Sequence, residues 1–193
     1  MLRLLRPTDP KWVECVESQL HILLVDHAHC ELKAAQSALS LVARFGGDYP
    51  HLVEPLCALA REESTHFEAV QRRISSGGET LGPPRVDMYV KALHDAARPE
   101  HPEVPMLLDR LLVSALVEAR SCERFHHLSK GLKSSELRDF YRDLMISEAR
   151  HYRLFRDLAE HSFGRDAELR FRTLVEREAA ICAELPLGPT VHG

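Results

Sequence analysis

Three Glu-x-x-His steps stand out by residue type and spacing: Glu63/His66, Glu123/His126 and Glu148/His151. Residues three apart on a helix share a face, so each step can offer a carboxylate oxygen and an imidazole nitrogen to one cation. Mixed oxygen and nitrogen donors without thiolate suit iron or manganese better than structural zinc. The step alone decides little. With 19 Glu and 12 His in 193 residues, chance supplies 19 × 12 / 193, or about 1.2, such steps. Position on the helices must separate ligands from ornaments.

The turns mark those helices. "TDPKW" reads as a helix start, with Asp9 as N-cap and Pro10 at the first helical position. A long helical pattern runs over 18–45 and stops at "GGDYP" (46–50). A second covers 51–74, before the loop "SSGGETLGPPR" (75–85). A short helix is expected over 86–97, then an irregular stretch, 98–105. A third long helix covers 106–130, "GLKSS" (131–135) breaks it, and a fourth runs to 163. A fifth spans 166–184. No run reads as a strand. The expectation is an all-α, ferritin-like four-helix bundle. It has one long crossover between its second and third helices, an additional C-terminal helix, and a single domain over residues 1–193.

At 100° per residue each candidate can be placed against its apolar stripe. Leu52, Leu56, Leu59, Phe67 and Val70 lie within about 40° of Glu63, with His66 about 60° away. Leu137, Tyr141, Leu144, Tyr152 and Phe155 centre on Glu148, with His151 at the edge. Leu20, Leu24, Ala35, Ala38 and Val42 surround Glu31. On the third helix, Glu118 lies about 60° and Glu123 about 80° from the stripe centre, and His126 also faces inward. The turns separate these two acids. Residues level with each other in an antiparallel hairpin are equidistant from its turn. Glu31 and Glu63 have their midpoint at 47, inside "GGDYP"; Glu118 and Glu148 have theirs at 133, inside "GLKSS". Glu123 with Glu148 gives 135.5, at the loop's edge. The expected ligands are therefore Glu31, Glu63, His66, Glu118, Glu148 and His151. Four carboxylates carry −4, which two divalent cations neutralise. His27, one turn before Glu31, faces inward as a supporting or core histidine. Asp26 and His29 point away from the stripe but can support a ligand across a helix contact. Glu62 and Glu123 are expected to be solvated or supporting residues.

The net charge of −4 gives no basic footprint for DNA or non-specific nucleic-acid binding. Even 138–177, with nine Arg against eight acids, is near neutral. Five scattered cysteines without a Cys-x-x-Cys fit a reducing, cytoplasmic setting. No apolar run is long enough to span a bilayer, and "MLRLLRPTDPKW" does not read as a signal peptide.

Four blocks carry a more specific signal: "LLVDHAHCELKAA" (23–35), "LAREESTHFE" (59–68), "LVEARSCERF" (116–125) and "SEARHYRLF" (147–155). In this order and spacing the chain resembles the MiaE family of tRNA hydroxylases over nearly its whole length. The resemblance implies O2-dependent hydroxylation of the isopentenyl group of 2-methylthio-N6-isopentenyladenosine, beside the tRNA anticodon. It implies two non-haem iron ions on the six residues above, an external reductant and a separate electron donor. The alternatives are another ferritin-like di-metal protein (a ferroxidase, manganese catalase or quinone hydroxylase) and a metal-free helical interaction module.

Overall fold

A computed structural model describes residues 2–97 and 104–193, and among these every regular element is helical. The α-helices are α1 (Lys11–Glu17), α2 (Leu20–Phe45), α3 (Val53–Ser76), α4 (Met88–Ala97), α5 (Met106–Gly131), α6 (Ser135–Phe163) and α7 (Arg165–Glu184), with a 3-10 turn at Pro50–Leu52 before α3. The expected ends hold to within two residues for all the long helices, and the short helix is present as α4. Most of the irregular stretch expected at 98–105 lies outside the described residues. Asp9 caps α1 as expected, its Oδ1 accepting from the Lys11 amide at 2.9 Å. Ser134 Oγ accepts from Leu137 N to cap α6.

The chain forms two compact units. One comprises residues 15–86 and 188–191 and is built on the α2–α3 hairpin. Leu24, Ala28, Glu31, Ala35, Ala38 and Leu41 on α2 are buried at the spacings of three and four that helix periodicity demands, and Leu56, Leu59, Glu63 and Val70 on α3 share one buried face. At the turn, a Cβ on Gly46 would meet Val53 Cγ2 at 3.0 Å, so its missing side chain lets the two helices close. The 77–86 segment returns over α2. His29 Nε2 lies 3.1 Å from the Gly82 carbonyl, and Lys33 Nζ donates to the Arg85 carbonyl at 3.0 Å. His29 is therefore buried, against the expectation that it points away from the core. A loop, not a helix stripe, covers it. Asp26 is half-buried and accepts from the Val191 amide at 2.8 Å.

The other unit comprises residues up to 14, 87–187 and 192–193. Its centre is the α5–α6 hairpin, and α7 follows α6 through Gly164, whose φ of +56° favours glycine. The helix α5 is buried almost all round, because α4, α6 and α7 all pack on it. A single stripe therefore misreads it. His126, expected to face inward, is exposed, while Arg120 and Arg124 are buried.

Arg120 gathers distant parts of this unit. Its Nη2 donates to Glu178 Oε1 at 2.6 Å and to the Arg6 carbonyl at 3.0 Å, its Nε to Glu178 Oε1 at 3.0 Å, and its Nη1 to Glu123 Oε2 at 2.7 Å. Tyr89 Oη donates to the same Glu178 oxygen at 3.1 Å. Burial, and then the Glu178 charge, push the Tyr89 phenol well above its ordinary range. Removing one partner strands a buried ion, whereas replacing both by apolar groups does not. Arg120→Met should lose about 3–5 kcal/mol in urea unfolding. Arg120→Met/Glu178→Leu should recover most of it; equal losses in both would show that the pair contributes through packing alone.

Candidate metal centre

Each hairpin brings its own three expected ligands together. In the first, Glu31 on α2 meets Glu63 and His66 on α3, their donor atoms all within 4.8 Å of one another. His66 Nδ1 lies 3.1 Å from Glu63 Oε2 and 3.7 Å from Glu31 Oε2. His27, fully buried, hydrogen-bonds Glu31 Oε1 through Nε2 at 2.6 Å. It is thus a supporting residue, holding one oxygen of Glu31 while the other faces His66. Glu62 sits at the edge, its Oε1 3.8 Å from His66 Nε2.

In the second, Glu118 on α5 meets Glu148 and His151 on α6, again with donor atoms within 4.8 Å. His151 Nδ1 lies 3.7 Å from Glu148 Oε2 and 3.9 Å from Glu118 Oε2. Equal distance from the turn thus paired the acids as the coordinates do, in both hairpins. Glu123 is employed elsewhere. It accepts from the Thr8 amide at 2.8 Å and the Thr8 hydroxyl at 2.6 Å, and from Arg120. Burial alone would raise its carboxyl, but the Thr8 hydrogen bonds and the Arg120 charge hold it below the usual range. His126, its partner in the sequence step, is on the surface.

These two sets fit divalent cations. Two ligands each about 2.1 Å from one ion can be at most about 4.2 Å apart. The imidazole-to-carboxylate separations of 3.1–3.9 Å satisfy that limit. Those of His66 to Glu31 and of His151 to both its glutamates, at 3.7–3.9 Å, are too long for hydrogen bonds, whereas His66 and Glu63 are within hydrogen-bond reach at 3.1 Å. Glu31, Glu63, Glu118 and Glu148 are each no more than 5% exposed. As metal ligands, with carboxylates ionised and imidazole neutral, each set would balance one divalent ion. Cys122, near Glu148, belongs to neither set. Burial first, then the Glu148 and Glu123 charges, push its thiol up to about 12, and Sγ donates to the Met145 carbonyl.

The sequence reading missed the Arg120–Glu178–Tyr89 network. Its one legible signal is a pair of arginines, 120 and 124, one turn apart on α5.

Comparison with known proteins now bears on this geometry. The family described as tRNA-(MS[2]IO[6]A)-hydroxylase (MiaE) matches residues 2–193. The chain belongs to this family. A relative from Pseudomonas putida named tRNA 2-(methylsulfanyl)-N(6)-isopentenyladenosine(37) hydroxylase is 40% identical, over 84% of this chain and 77% of its own. A Salmonella typhimurium protein of the same name is 30% identical, over 90% of this chain and 81% of its own. A solved structure, "Protein 43 with aldehyde deformylating oxygenase activity from Synechococcus", is 36% identical. It superposes with a TM-score of 0.90 over 98% of this chain and 95% of its own. The fold class is accordingly all-α and ferritin-like.

Ligands and bystanders should part under substitution. Glu118→Ala should lose iron binding, measured by metal analysis after anaerobic Fe(II) reconstitution, and Glu123→Ala should keep it. Matching iron content in the two variants would refute the assignment. Fe(II) at 100 times its dissociation constant should also stabilise the native protein by about 2.7 kcal/mol, read as a rise in melting temperature.

Proposed function

We propose that this chain hydroxylates the isopentenyl group of 2-methylthio-N6-isopentenyladenosine in tRNA, at the position beside the anticodon, using O2 and an external reductant. The observation that carries the reading is membership of the MiaE family over residues 2–193, in a chain whose two hairpins each present a matching Glu, Glu, His set. Glu31, Glu63 and His66 hold one iron ion, and Glu118, Glu148 and His151 hold the other. The chain works as one domain in the cytoplasm, with a separate protein or small molecule as electron donor. No helix among the described residues is long and apolar enough to cross a membrane.

When bound, the iron pair supplies the O2-activating redox chemistry that side chains lack. The overall reaction inserts one oxygen atom into a C–H bond and reduces the other to water, consuming two electrons and two protons. The chain's own residues set the conditions. His27 fixes the orientation of Glu31 through a 2.6 Å hydrogen bond, which also sets which oxygen is free to ligate. The near-complete burial of the four glutamates keeps bulk water from the donor atoms.

The test is a turnover assay with the iron-loaded protein, O2, a reductant and tRNA carrying the modified adenosine. Nucleoside mass spectrometry should show the gain of one oxygen atom. Free Fe(II) oxidation with unaltered tRNA would point to a ferroxidase. Turnover of an aldehyde with unaltered tRNA would move the chain to the activity named for its Synechococcus neighbour.

A further inference from the structure

A cavity of about 570 Å³ opens beside α5. It is of ordinary ligand-binding size. At 100° per residue, Arg120 and Arg124 lie about 200° and 240° around α5 from Glu118, so the cavity is on the far side of the helix from that ligand.

Most polar groups in its wall are already engaged. Thr8 and Arg120 serve Glu123 and Glu178. His192 is held at both nitrogens, Nδ1 by Asp87 Oδ2 at 2.6 Å and Nε2 by Ser121 Oγ at 3.1 Å. The Cys182 thiol donates to Glu178. Asp9 accepts from the Lys11 amide.

Arg124 is different. Only 8% exposed, it makes no hydrogen bond or ion pair with any described residue, and its Nε and Nη1 are buried without an acceptor. Its guanidinium carbon lies 4.4 Å from the centre of the Trp12 ring, which orients the group but accepts no hydrogen bond in its plane. Burial, then the Arg120 charge, pull its pKa down to about 10, so it remains a cation at neutral pH. A buried cation with idle donors is costly unless an anion reaches it. Arg6, exposed at the rim, adds a second positive charge.

We propose that this cavity binds a phosphate group on Arg124, with Arg6 as its second cation, and that the phosphate belongs to the tRNA substrate. Guanidinium suits this role because its planar donors match phosphate oxygens. The choice of tRNA as source rests on the proposed function; the phosphate site does not.

Trp12 is the chain's single tryptophan and reports on Arg124 directly. Sodium phosphate titrated at constant ionic strength against chloride should change its fluorescence saturably. Arg124→Gln should abolish the response with helical content unchanged, and the surface variant Arg6→Gln should weaken binding several-fold. If Arg124→Gln does not fold, the wild-type and Arg6→Gln titrations decide. No saturable response in the wild type overturns the site. In a second arm, phosphate should compete with tRNA, and each variant should flatten the slope of log K against log salt by about 0.7–0.9 per lost contact. Saturable phosphate binding with unaltered tRNA affinity assigns the site to free phosphate and overturns the tRNA assignment. Neither arm requires hydroxylation, so failure here is separable from failure of the proposed activity.

Discussion

The burial of four glutamates is the constraint on which the rest depends. An ionised carboxylate taken from water without compensation is among the most expensive things a fold can contain. Each hairpin hides two, and sets a single imidazole 3.1–3.9 Å from a carboxylate of each helix. Much follows from that demand. The helices must be long, so that acids 15 or 16 residues from a turn still have a turn of helix beyond them. The turns must be tight, so that opposite acids meet level. His27 is buried with Glu31 and holds one of its carboxylate oxygens at 2.6 Å.

The same chain contains a second solution to buried charge. Around Arg120 the compensation is internal: guanidinium, two carboxylates, a phenol and a backbone carbonyl are joined in one hydrogen-bonded cluster. The two solutions share α5, which carries Glu118 and Arg120 two residues apart on different faces. A helix surrounded in this way cannot be amphipathic in the ordinary sense, and its sequence shows it: polar residues are distributed around it, and Asp109, Arg120 and Ser121 each have a specific partner.

That explains what could be read from sequence. The helices and their ends were legible, because turn residues and the 3.6-residue period are local properties. So was the pairing of Glu31 with Glu63 and of Glu118 with Glu148, because distance from a turn is a local count. Facing was legible only where one neighbour covers one stripe. It failed at His126, since the covering of α5 changes along its length, and at His29, buried by a loop with no periodicity. The Glu178 partnership was illegible because nothing local links residues 58 positions apart.

The Arg120 cluster also bears on how the protein is made. It ties the carbonyl of Arg6 to Glu178, separated by 178 − 6 = 172 residues. At a synthesis rate of roughly 5–20 residues per second, the first segment waits about 10–30 s for its partner to be translated. Arg120 itself precedes Glu178 by 58 residues, and for the last part of that interval, about 3–12 s, it lacks the Glu178 carboxylate. The hairpin of α2 and α3 involves only near neighbours in sequence and can form as it emerges. The nascent chain therefore passes through a stage in which one Glu, Glu, His set can already be assembled while the unit bearing the other still lacks its last helix.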